Sequence, residues 1–155
     1  MTTVLDWAEK AGIENMRDHV SNADLIQKQA STLLTMLLSG AAAALYFGSD
    51  HEELRFVAVI VSFWLFGLSA FLTRKCLMFG DFPSVWNEPK NLNQKGFELD
   101  KLREFELDNL QKRINEAMSL NFTKSLRLNG CVLSACCTPI IGLIASLVQV
   151  YGFSA

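Results

Sequence analysis

Residues 31–48, 56–73 and 128–155 contain no Asp, Glu, Lys or Arg. About 20 apolar residues in a helix cross the hydrocarbon core of a bilayer, and a charged side chain at its centre costs roughly 2.5–3.5 kcal/mol even on insertion scales. The chain carries 14 basic and 16 acidic residues, so three such windows do not arise by chance. A soluble bundle of very apolar helices is the alternative, but helices of that kind show a charged face and these show none. The pattern predicts an all-α integral membrane protein with three transmembrane helices. Spans 31–48 and 56–73 form a transmembrane hairpin over 31–73, and the third transmembrane helix lies in 128–155. The first window starts at Ser31, follows a net-negative segment and leads straight into a second span. It does not read as a signal peptide, and nothing is expected to be removed.

Between the apolar windows the sequence turns amphipathic. In residues 1–30, Val4, Trp7, Ala8, Ala11, Met16, Val20, Ala23 and Ile26 recur mostly every three to five positions among charged residues, which predicts a helix with little break before the first span. Ser49 to Arg55 is too short for a domain and closes the hairpin. Residues 79–97, with Gly80, Pro83, Pro89 and Gly96, read as irregular. From Glu98 to about Arg127 the helical pattern returns. Leu99, Leu102, Leu110, Ile114 and Ala117 form its apolar face, and Glu98–Lys101 and Asp108–Lys112 have helix ion-pair spacing. The four regions are therefore 1–30, 31–73, 74–127 and 128–155.

Lys and Arg near the span ends set orientation. Ten of the 14 basic residues fall in 74–127, whereas the loop between spans one and two has only Arg55 against three acids. The expectation is that the N-terminal amphipathic helix and residues 74–127, including a long helix between spans two and three, lie in the cytoplasm. The C-terminal Gly-Phe-Ser-Ala then lies outside. Asn121-Phe122-Thr123 matches a glycosylation acceptor, but on the cytoplasmic side it is read as a chance match.

No catalytic constellation is present. His19 and His51 fall on opposite predicted sides, and no phosphate loop, HExxH or metal-ligand spacing occurs, so neither an enzyme, a cofactor nor a metal is expected. Glu104 and Glu106 read as solvated surface acids. A net charge of −2 and the lack of a dense basic block argue against nucleic acid as a partner. The cysteines read as small hydrophobes in or beside the spans.

What the spans do carry is a small or hydroxyl stripe each. On span one it is Thr32, Thr35, Ser39 and Ala42 or Ala43. On span two it is Arg55, Ser62, Ser69 and Thr73. On span three it is Ser134, Thr138, Gly142, Ala145 and Gln149, with Pro139 able to bend the helix and free a carbonyl. Gly40-xxx-Ala44 and Gly142-xxx-Ser146 permit close helix approach. Two readings of Thr35, Ser39, Ser62, Ser69, Ser134, Thr138, Gly142 and Gln149 stand side by side: helix packing, or the lining of a pore. Three helices cannot enclose a conduit, so a pore requires a homo-oligomer. The spans lack the carboxylates or basic groups that ion-coupled transporters place at membrane depth. Leu110 and Ile114, on the long helix, are candidate gating positions.

Asn22-Ala23-Asp24 followed by Lys28-Gln29-Ala30-Ser31-Thr32-Leu33-Leu34 leads a helix directly into the first span. Leu110-Gln111-Lys112-Arg113-Ile114, then Asn121, Leu126 and Leu128-Asn129, lead another into the last. This layout resembles small bacterial membrane effectors of anti-phage systems, the Pycsar-type transmembrane effectors and the SLATT group, with a third span added to the two-span SLATT plan. The resemblance implies an oligomer that depolarises or permeabilises the inner membrane when infection is sensed, with a soluble cytoplasmic partner or a nucleotide signal as its input. It carries over no nucleotide-binding residue. The sequence thus favours a pore-forming or membrane-disrupting effector, with a non-conducting adaptor that recruits a soluble partner as the second class. A phage holin is a minor third, since the soluble mass here lies mid-chain rather than in a charged tail.

Overall fold

The computed structural model describes residues 3–78, 82–88, 91 and 96–152, and among these there is no β-strand. Phe79, Gly80, Pro89 and the Phe153–Ala155 terminus lie outside the described residues. Helix α1 runs over Val4–Asp50, followed by a single 3-10 turn at Glu52–Leu54 and α2 over Arg55–Leu72. A π-helical turn, Thr73–Leu77, extends α2. Helices α3, Leu99–Cys136, and α4, Thr138–Gly152, complete the chain.

Several helix ends have a local cause. At the start of α1 the Thr3 hydroxyl accepts from Asp6 N–H at 3.2 Å while the Asp6 carboxylate accepts from Thr3 N–H at 2.9 Å. This reciprocal box satisfies two donors that the first helical turn leaves free. Helix α1 stops where His51 turns extended, at φ −123 and ψ 102. Ahead of α3, Gly96 sits at φ +102, a left-handed conformation that glycine takes without a Cβ penalty. The break between α3 and α4 follows from Pro139, which has no N–H to give to the Ala135 carbonyl. The Thr138 hydroxyl donates to that carbonyl at 2.7 Å instead, and the two helices meet at a 41° bend.

The chain divides into two compact units, Met1–Ile26 with Phe79–Thr123 and Gln27–Met78 with Lys124–Ala155. In the first unit, α1 and α3 run parallel: Asp6 and Glu9 meet Arg103, Gly12 abuts Leu110, and His19 meets Asn121. Met16, Leu110, Ile114 and Ala117 are buried together, with Ile13, Val20, Phe82 and Val85 packed on them. The α3 positions 110, 114, 117 and 121 repeat at the four–three spacing of a coiled-coil seam. Leu99 is exposed, so the apolar face expected on this helix begins only a turn or more after its start.

In the second unit, α1 and α2 are antiparallel, with Ala30, Leu37 and Ala41 buried on α1 and Ala58, Ser62, Leu65, Ser69 and Leu72 buried on α2. Gly40 faces Leu65, and Gly48 lies so close to Ala58 that a Cβ there would collide with the Ala58 methyl. Small residues at 40, 44 and 48 therefore let the hairpin close. Helix α4 also packs on α2, where Gly142 approaches Val61.

Among the described residues two helices, Val4–Asp50 and the Glu52–Leu77 stretch, are long and apolar enough to cross a membrane, or three with the bent α3–α4 pair taken as one span. Only 17 % and 22 % of the residues in the most apolar windows of the first two are buried. Phe63, Leu133 and Leu143 are each about two-thirds exposed or more. A water-soluble surface rarely leaves apolar patches of that extent uncovered. The chain is an all-helical protein compatible with a membrane environment.

Candidate functional site

The second unit sorts the eight candidate span residues by the direction they face. Ser62 donates to the Ala41 carbonyl at 3.0 Å across the hairpin, and Ser69 donates to Leu65 within α2 at 2.8 Å; both are buried. Gln149 donates to the Glu53 carbonyl at 2.6 Å, tying α4 to the 3-10 turn. Thr138 caps the Pro139 break, and Gly142 and Ser134 are half-buried. The polar groups of Ser62, Ser69, Thr138 and Gln149 are thus engaged within one chain. Arg55 and Thr73, read with Ser62 and Ser69 as one face of α2, are exposed instead. The buried line on α2 steps by four and three residues from Ala58 to Leu72; Arg55 precedes it as the first residue of the helix, and Thr73 leaves it, since the line after Ser69 continues at Leu72.

Thr35 and Ser39 behave differently. Both are exposed, as are Thr32, Ala42 and Ala43. The threonine hydroxyls are satisfied on their own helix, Thr32 by Lys28 at 3.0 Å and Thr35 by Ser31 at 3.1 Å. At about 3.6 residues per turn this line lies on the side of α1 opposite Ala30, Leu37 and Ala41. The second unit therefore uses one face of α1 for its own packing and leaves a small, hydroxyl-bearing face open.

In the first unit the candidate gating residues Leu110 and Ile114 are core, 4 % and 5 % exposed. Around that core lie polar ties that are not among the expectations from the sequence. Arg103 holds Asp6 at 2.5 Å and Glu9 at 2.8 Å. Arg113 pairs with Glu106 at 2.5 Å, and the second Glu106 oxygen accepts from Asn87 at 2.8 Å. Glu106 is accordingly turned inward rather than solvated. Asn121, 8 % exposed, donates to the His19 carbonyl at 2.8 Å. A lone amide in an apolar seam fixes register between two helices at some cost in stability. Two signals in the sequence point this way: Thr3-x-x-Asp6, and Asn121 continuing the 110–114–117 spacing. Glu98–Lys101 forms the exposed ion pair its spacing predicts, at 3.7 Å.

The Arg103 clamp sets a pH dependence. The Arg103 guanidinium, with the Thr3 N–H and hydroxyl, lowers the Asp6 carboxyl from its ordinary 3.8 to about 2, and the two carboxylates raise Arg103 in turn. A depressed acid stabilises the folded form above its unfolded pKa. The clamp's contribution is therefore complete above about pH 4 and lost as pH falls towards 2. Thermal melts of the wild type should lose stability across that window, and Asp6→Asn should flatten the part of the slope due to this group. An identical slope in the variant would remove Asp6 from the account.

Among the described residues no cluster of His, Cys, Asp or Glu could hold a metal ion. Comparison with protein-family models, curated proteins and solved structures finds no match to this chain.

Proposed function

We propose that the chain is a homo-oligomeric membrane effector that forms a pore in, or otherwise disrupts, the bacterial inner membrane as part of anti-phage defence. The observation that carries this reading is the open face of α1, where Thr32, Thr35, Ser39, Ala42 and Ala43 are exposed while Ala30, Leu37 and Ala41 on the opposite side of the same helix are packed within the chain. In hydrocarbon, small and hydroxyl residues favour close contact with another helix over contact with lipid. A second copy supplies that contact, and a ring of copies supplies enough helices for a pathway. The resemblance to anti-phage effectors supplies the biological setting. The long helices α1 and α3, each unbroken and each contributing to both units, supply the means by which the Leu110/Ile114 core holds the pathway closed.

Self-association through this face is tested by disulfide trapping. With the four native cysteines replaced by alanine, Ser39→Cys is expected to give a cross-linked dimer on mild oxidation in membranes, and Ser62→Cys, buried within the protomer, is not. Cross-linking at 62 but not at 39 would exchange the roles of the two faces.

Sidedness follows from Lys28, Arg74, Lys75, Lys124 and Arg127, which border the apolar windows with no acidic residue among them. In this reading the first unit is cytoplasmic, and it is where a soluble partner or a nucleotide signal would act. Reporter fusions after Asp50 are expected to report the periplasm and fusions after Gly96 the cytoplasm. The opposite pattern would invert the assignment.

The adaptor reading shares the membrane anchor and differs in predicting no conductance.

A further inference from the structure

Charge is distributed unevenly along the second unit. Asp50, Glu52 and Glu53 cluster at the hairpin turn, with Arg55 paired to Glu52 at 3.7 Å. At the other end stand Lys28, Arg74, Lys75, Lys124 and Arg127, with no acidic residue from this unit beside them. Local contacts bring these together. The Arg127 guanidinium reaches the Lys75 carbonyl at 3.4 Å, and the Cys76 thiol lies 3.8 Å from the Lys124 carbonyl. The antiparallel register of Ala41 against Ser62, continued along α1 and α2, brings Lys28 level with Lys75.

Arg127 also stands at the mouth of a groove between α2 and α3, with a volume of about 440 Å³. Leu68 and Phe71 form one wall, and Leu126, Gly130 and Cys131 the other. Gly130 borders open space in the groove, where a Cβ would meet nothing within 4 Å. The groove is apolar along its length and cationic at one end, the shape of a single acyl chain joined to an anionic headgroup. Arg127 is exposed, and its contact to Lys75 is a long one to a carbonyl. That leaves the guanidinium donors to bind phosphate in a forked geometry. Basic clusters beside transmembrane helices attract anionic lipid by about 1 kcal/mol per residue.

We infer that this groove is a binding site for one anionic phospholipid, its acyl chain lying along Leu68, Phe71 and Gly130 and its phosphodiester held by Arg127 with Lys75 and Lys124 nearby. The site rests on the membrane reading of the second unit and is independent of pore formation.

Native mass spectrometry of the purified full chain in mild detergent tests it, with phosphatidylglycerol and phosphatidylcholine of the same acyl composition as probes. Wild type is expected to bind phosphatidylglycerol several-fold more tightly. Arg127→Gln should weaken phosphatidylglycerol about five-fold, as expected for loss of about 1 kcal/mol, and weaken phosphatidylcholine less, because its choline ammonium already neutralises the phosphodiester. Gly130→Leu, which fills the groove from a position with free space, should weaken both lipids. Millimolar inorganic phosphate should not displace the lipid; displacement would make this a site for a free anion and overturn the proposal. Equal binding of the two lipids by wild type would overturn it, as would an unchanged phosphatidylglycerol affinity in Arg127→Gln or in Gly130→Leu. Release of the wild-type protein from membranes by an alkaline carbonate wash would instead defeat the membrane reading on which the site rests.

Discussion

Replacing Ile114 with Asp is expected to separate the paired helices of the first unit and to raise toxicity at matched membrane abundance. Ile114 is 5 % exposed and packed among Met16, Leu110 and Ala117. The substitution removes its apolar burial and leaves a carboxylate without a partner, together destabilising the pairing by roughly 3–5 kcal/mol. A closed state favoured by roughly 2–3 kcal/mol leaves about one per cent of molecules open. Removing that bias would open about half or more. Amide exchange across residues 105–120 should accelerate by several orders of magnitude if the helices part, while exchange in α2 stays slow. Glu116→Gln, on the exposed side of the same helix, should change neither exchange nor toxicity. If Ile114→Asp released the helices but left toxicity at the wild-type level, the first unit would not be the gate.

The second large effect is expected on the outward face of α1. Thr35→Leu with Ser39→Leu keeps the span apolar and spares the interior of the protomer, because both positions are exposed. Packing of the hairpin through Ser62 and Ala41 should be retained. Between copies, the bulkier side chains hold backbones apart and remove the hydroxyls, which weakens association by about 1 kcal/mol or more at each position. Two such penalties at every interface of a ring would shift a defined multimer towards monomer by more than about ten-fold. Gln149→Leu is the informative contrast. Its amide is tied to the Glu53 carbonyl, so its removal should loosen α4 from the 3-10 turn before it alters association.

How much of this is legible in the sequence depends on which physical signal each feature leaves. Charge-free windows of 18 residues or more announce apolar helices directly, and the Pro139 bend follows from a missing N–H. The partition of the hydroxyl stripes is not legible, because a hydroxyl on a span reads the same whether it faces a helix of its own chain or another copy. Ser62 and Thr35 differ only in what lies opposite them. The N-terminal helix shows a related limit. Trp7 and Val4 look like core by hydropathy, yet they are exposed, while Ile13, beside Gly12, packs on the core. The seam there is set by the parallel partner α3, distant in sequence, which no local periodicity reveals. Arg103 is hidden for the same reason, since Asp6 and Glu9 lie on α1, and the inward turn of Glu106 depends on Asn87 as well as on Arg113 of its own helix.

Membrane potential in growing cells is the measurement that bears most directly on the effector reading. A potential-sensitive dye should report depolarisation soon after wild-type protein is induced. The same dye should report a normal potential when Thr35→Leu/Ser39→Leu is present in the membrane at equal abundance. Wild-type protein that accumulates as a multimer, with or without its genomic neighbours co-expressed, and leaves the potential and dye exclusion normal would contradict the account and put the non-conducting adaptor in its place.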